Sequence, residues 1–166
     1  RLIEKYFQFC LIDPEGDYGA LRDVVALGNP LRAPSVDEVL AILGDPKINL
    51  SVNLLGIPLD DRPDFFASLI PHLQAMRARS GRPHWLVVDE AQNFTLKELT
   101  DVLGTMGKRS RLILMGDPEQ VDIKRPGLVE FFNRLHGGTG VGCVWFCEED
   151  ILRNPLLESR LKRLRR

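Results

Sequence analysis

The 166-residue chain reads as a doubly wound α/β domain, a three-layer sandwich built on a mainly parallel sheet. Three observations predict it. Short apolar runs alternate with amphipathic stretches along almost the whole length. Trp85-Leu86-Val87-Val88 is continuously apolar, the pattern of a central strand covered on both faces. Polar residues recur just after the apolar runs, and sheets of this kind bind ligands beyond the carboxyl ends of their strands.

The elements follow in order. Residues 1–7 read as the last turns of an amphipathic helix begun elsewhere, so the chain is expected to be a piece of something longer. Residues 8–12 form a strand stopped by Asp13-Pro14-Glu15-Gly16-Asp17. A weaker strand at 24–27 ends at Gly28-Asn29-Pro30. Ser35 and Glu38 have the capping-box spacing and open a helix to about residue 43, ended by Gly44-Asp45-Pro46. A strand covers 48–55. A long helical stretch then starts at Asp60 or Asp61 and runs to about residue 79, with Pro71 expected to kink or split it.

After the strand ending in Val88, Thr95 and Glu98 repeat the capping-box spacing and open a helix to about residue 106. Residues 111–115 form another buried strand, closed by Gly116-Asp117-Pro118. Residues 127–135 are helical up to Gly137-Gly138. The last strand is placed at 141–147, where Cys143, Trp145 and Cys147 alternate onto one face. Pro155 opens the last helix, to residue 165. No linker or repeat interrupts the chain, and a single domain over 1–166 is expected.

Composition narrows the function. A net charge of -1 argues against a general positive field for nucleic acid or an anionic membrane. The basic stretch Arg160, Lys162, Arg163, Arg165, Arg166 is read as the solvated face of a terminal helix, with a phosphate-binding patch as the alternative. Cys10, Cys143 and Cys147 sit in apolar runs and no Cys/His spacing suggests zinc; reduced core thiols in a cytoplasmic protein are expected. No apolar stretch is long enough to span a bilayer.

The strongest chemical signal is the apolar strand ending in Asp89-Glu90. Two carboxylates fixed at a strand terminus can hold a hydrated magnesium ion and orient an attacking water, the Walker B arrangement of nucleotide hydrolases. Asp13, Glu15 and Asp17 follow the first strand, Asp117 and Gln120 follow the strand at 111–115, and Arg153 lies in the loop after the last.

The stretches Val87-Val88-Asp89-Glu90-Ala91-Gln92-Asn93, Leu114-Met115-Gly116-Asp117-Pro118-Glu119-Gln120 and Asp150-Ile151-Leu152-Arg153-Asn154-Pro155, in this order, resemble the PhoH-like ATPases, relatives of the superfamily-one helicases. The resemblance covers 85–166 and implies a P-loop NTPase-like fold with Mg²⁺ and ATP as ligands. It assigns Asp89 to the metal, and Glu90, Gln92, Gln120 and Arg153 to catalysis. Asp117 becomes a sensor carboxylate on the cofactor side. Helicase kinship implies nucleic acid as a partner. Asn154 departs from the family's usual His.

Phe9-Cys10-Leu11-Ile12-Asp13-Pro14-Glu15-Gly16-Asp17-Tyr18 resembles instead the HerA/FtsK-type motor ATPases, which adds Asp13 to the cofactor-side residues. A hybrid of two ATPase fragments, with a seam near 89–92, is the expectation. No Gly-x-x-x-x-Gly-Lys-Ser/Thr occurs in the 166 residues, so the P-loop strand-loop-helix start is missing from them and the chain alone is expected to be inactive. A non-catalytic α/β scaffold or constructed chimera, and a nucleic-acid-binding module, are the alternatives.

Overall fold

The computed structural model describes residues 2–106 and 110–147. Two compact units divide the chain, Arg1–Arg134 and Leu135–Arg166.

The first unit is built on five strands, β1 (Phe9–Asp13), β2 (Val24–Leu27), β3 (Asn49–Asn53), β4 (Trp85–Val88) and β5 (Arg111–Leu114), in the order β2-β3-β1-β4-β5. Every neighbouring pair is parallel. The register is level across the sheet: Ile12 lies between Val52 and Val88, and Val88 pairs with Leu114. The loops after β1, β4 and β5 therefore leave one edge together. Helices flank the sheet, so the expected α/β sandwich with a parallel sheet stands.

Burial explains why β1 and β4 are central. Cys10, Leu11, Ile12, Leu86 and Val88 are all nearly inaccessible, and a parallel strand covered on both faces needs such a run. One face packs Phe9, Leu11 and Val87 with Trp85, Ile113, Met115 and Leu2 and Ile3 from the short 3-10 turn at Ile3–Lys5. That single turn occupies the place expected for the end of a longer helix. Gln8, just before β1, is buried, and its amide nitrogen donates to the carbonyls of Leu43, Asp45 and Ile48.

The helices begin where local chemistry says they should. In α1 (Val36–Leu43) and α2 (Arg62–Ser80) the starts differ: α1 has a complete Ser35/Glu38 capping box, whereas α2 follows the 3-10 turn Leu59–Asp61 and places Pro63 in its first turn. Thr95 and Glu98 close the second capping box, on α3 (Leu96–Gly104). Of the kink or split expected at Pro71, the split does not occur: α2 runs unbroken through it. Its buried stripe is Phe66, Leu69, Ile70, Leu73 and Arg77, while Pro71 and Ala67 face solvent. The carbonyl of Ala67 deprived of its partner by the missing Pro71 N–H is thus on the wet side. Helix α4 (Leu128–Leu135) buries Phe131.

The strand expected at 141–147 is not formed. Residues 141–147 have no strand pairing, and Val144, Trp145 and Phe146 are exposed. Alternation defines which side chains share a face, but a strand exists only through a neighbouring ladder. The sheet's fifth strand is β2 instead, paired with β3 from Val24↔Asn49 to Leu27↔Val52. Cys143 and Cys147 are correspondingly exposed, and only Cys10 is the buried thiol expected of all three. The helix expected at 155–165 lies outside the described residues.

Candidate active site

The site starts with Asp13, the last residue of β1, which is almost wholly buried. Its Oδ1 accepts from the backbone N–H groups of Gly16 (2.8 Å) and Asp17 (3.0 Å). Its Oδ2 accepts from the Tyr18 N–H (3.1 Å) and the Ser51 hydroxyl (3.3 Å). Three successive amides thus close around the protein's own carboxylate, as a phosphate-binding nest would close around an anion. Gly16 makes the wrap possible: its φ is +77°, and a Cβ there would lie 2.6 Å from the Asn53 amide nitrogen. Asp13 is committed to shaping this loop.

The loop ends on Tyr18, whose hydroxyl donates to Asp89 Oδ2 at 2.8 Å. Burial raises the tyrosine hydroxyl's pKa, the Asp89 hydrogen bond raises it further, and the charges of Asp89, Asp13 and Asp17 add to the rise. The hydroxyl therefore stays a donor. Asp89 follows β4 directly and is half-buried.

Glu90 turns the chain with φ 51° and ψ 37°, the left-handed region, which costs a side-chain-bearing residue about 1 kcal/mol or more. Partial burial raises the Glu90 pKa; a hydrogen bond from Gln92 opposes the rise, and the carboxylates of Asp89, Glu15 and Asp122 add to it. Gln92 is 1% exposed. Its amide nitrogen donates to Glu90 Oε2 (2.5 Å) and to the Gln120 carbonyl (3.0 Å), and its Oε1 accepts from the Asp117 N–H (3.1 Å). A second tie joins the same two loops, since Asn93 and Asp122 exchange bonds of 2.8 and 3.2 Å. Asp117 in turn organises its own turn, accepting from the Glu119 N–H and the Gln120 side-chain amide.

The residues after β1, β4 and β5 enclose an open cleft of about 450 Å³ lined by Glu15, Glu90, Glu119, Gln120, Val121 and Asp122. Of the residues expected at the site, Glu90 and Gln120 line it. Gln92 and Asp117 lie in the bonded framework beside it, while Asp13 and Asp89 are joined through Tyr18. Arg153 lies outside the described residues. Among the described residues, four carboxylates and no cationic side chain line the cleft. Among the described residues no group of three or more His, Cys, Asp and Glu is arranged to hold a metal. Asp89 and Glu90 do supply oxygen donors of the kind a hydrated magnesium ion takes, as two carboxylates and no more.

Sequence reasoning passed over Tyr18, Asn93 and Asp122 as site residues. Tyr18 and Asp89 are 71 positions apart, and no periodicity links them; the one local signal is a hydroxyl-bearing aromatic at the end of an acidic turn.

This arrangement, carboxylates and amides gathered beyond the carboxyl ends of β4 and β5, is carried by the part of the chain that comparison with known proteins recognises. The model of the family described as PhoH-like protein matches residues 69–164, and the chain belongs to that family. Protein PhoH2 of Bacillus subtilis is 44% identical over 50 residues, which cover 30% of this chain and 11% of that protein. A PhoH-like protein of the same bacterium is 31% identical over 91 residues, 53% of this chain and 28% of that protein. Protein PhoH of Escherichia coli K12 is 31% identical over 103 residues, 60% of this chain and 29% of that protein. The chain thus spans less than a third of the length of these relatives. No solved structure matches it significantly. Among the described residues no helix is long and apolar enough to cross a membrane.

Proposed function

We propose that this chain supplies the acidic half of an ATP-hydrolysing site: Asp89 holds a hydrated Mg²⁺, Glu90 orients the attacking water, and Gln92 and Gln120 couple these groups to the loop after β5. Membership of the PhoH-like family supports the reading. The observation that carries it is the Gln92 amide, buried between Glu90 and the β5 loop and bonded to both. Asp89 and Glu90 would hold a magnesium ion, which would supply positive charge against developing phosphate charge. The residues of this chain do the positioning on which phosphoryl transfer depends. Asp117 acts through the turn that places Gln120, and Arg153 is assigned to charge neutralisation on its sequence resemblance alone.

The 166 residues by themselves are expected to bind Mg-ATP weakly and to hydrolyse it negligibly. The lining carboxylates repel a triphosphate, and the nest of backbone amides after β1 is already filled by Asp13. Losing a single oriented donor costs an enzyme about a hundredfold in rate, and here no phosphate cradle occurs in the sequence. Calorimetric titration with Mg²⁺ and with Mg-ATP, paired with phosphate release by the parent chain and Glu90→Gln, tests this. Weak Mg²⁺ binding that disappears in Asp89→Asn is the expected result. Micromolar Mg-ATP binding, or turnover abolished in Glu90→Gln, would overturn the expectation of inactivity.

The hybrid origin read from the first strand and its acidic turn remains part of the proposal. The family match begins at residue 69 and leaves β1 to β3, from which that origin is read, outside it.

A further inference from the structure

We infer that Tyr18 is the positioning residue for Asp89, a role that rests on the reading of Asp89 as the metal-holding carboxylate. The geometry is a bracket with two fixed ends. At one end, the Tyr18 backbone N–H is bonded to Asp13 Oδ2, and Asp13 is buried and held from four directions. At the other, the Tyr18 hydroxyl donates 2.8 Å to Asp89 Oδ2. Between them the ring packs against the Phe9, Leu11 and Val87 cluster, so it cannot swing without leaving the core. β1 and β4 are themselves paired from Phe9↔Trp85 to Ile12↔Val88. The bracket therefore spans two adjacent strand ends of the same sheet.

A carboxylate at a strand terminus has freedom about its side-chain torsions, and a monodentate ligand is useful only if one oxygen is held toward the ion. By taking Oδ2, Tyr18 fixes the carboxylate plane and leaves Oδ1 for a cation. Such outer partners of metal ligands typically change affinity by about 10–100-fold when removed. The hydroxyl is an uncharged donor, so it orients Asp89 without neutralising it. A lysine in the same place would cancel the charge that the ion needs.

The test uses the full chain with Mn²⁺ as the probe, an oxygen-preferring ion whose free concentration is read by electron paramagnetic resonance. Tyr18→Phe keeps the ring in the apolar cluster and removes only the donor. Its thermal midpoint is compared with the parent's to establish that it folds. The expected result is Mn²⁺ binding about tenfold weaker than the parent's, with parent binding lost in Asp89→Asn. A second readout works without altering Tyr18. The chain has two tyrosines, so a Tyr6→Phe background makes Tyr18 the only one. Its resonance Raman doublet, which reports hydroxyl hydrogen bonding, is expected to respond to Mg²⁺ and to stop responding in Asp89→Asn. Binding that is lost in Asp89→Asn yet unchanged in Tyr18→Phe overturns the role of Tyr18 alone. Binding absent from the parent, or surviving in Asp89→Asn, removes the metal reading and this role with it.

Discussion

The side-chain oxygen of Gln92 accepts a hydrogen bond from the backbone N–H of Asp117 at 3.1 Å, joining the loop after β4 to the loop after β5. The nitrogen of the same amide donates to Glu90 within the β4 loop and to the Gln120 carbonyl across the gap. One buried side chain thus sets the distance between a catalytic candidate and the turn opposite it.

Gln92→Leu is expected to lower the unfolding free energy by about 2–3 kcal/mol, because the three hydrogen bonds of a buried side-chain amide are lost. Urea unfolding followed by circular dichroism measures it. A loss below about 1 kcal/mol, within the range of one ordinary bond, would mean that the two loops are held together chiefly by Asn93 and Asp122.

Glu90→Gln is expected to be more stable than the parent at neutral pH. The folded-state pKa of Glu90 lies above the ordinary 4.5, so between those values the folded chain holds more protons than the unfolded one. Stability contributed by the protonated form is present below 4.5 and is lost as pH rises through the folded value. The thermal midpoints of parent and variant should therefore diverge from acid to neutral pH and converge again below 4.5. Parallel curves over this range would show that burial and the neighbouring carboxylates do not act on Glu90 as the geometry implies.

Thiol labelling separates the cysteines. Burial pushes the Cys10 thiol up to about 12, with the nearby Arg77 charge only partly opposing it, whereas Cys143 and Cys147 are exposed. A maleimide at neutral pH is expected to modify the latter two in the native chain and Cys10 only after denaturation, as intact-mass spectrometry would record. The same burial predicts alkaline sensitivity. An unfolded thiol ionises near 9 while the folded one keeps its proton, so stability contributed by the neutral thiol falls as pH rises from 9 toward 12. Native labelling of all three thiols at equal rates would place Cys10 outside the core.

Local physics made much of this molecule readable from its residues. Both capping boxes were legible because Ser35 and Glu38, or Thr95 and Glu98, need only three residues of chain to find each other. β4 was legible because a strand covered on both faces must be apolar throughout. The acidic edge was legible too, since in a parallel sheet every strand ends on the same side, and Asp13 ends one strand while Asp89 and Asp117 follow two others. Tertiary structure decided what depends on partners distant in the chain. Val24–Leu27 became a strand because β3 offers it an edge, while the more strongly alternating residues 141–147 have no ladder among the described residues. Pro71 left α2 whole because it fell on the solvent side of a stripe whose burial is set by the sheet. Asp13 turned inward to four donors, and Tyr18 reached Asp89 across 71 positions. Residue type and spacing encode hydrogen bonds closed within a few residues. A bond between strand ends is encoded only by the register that brings those ends together, and register is a property of the folded sheet.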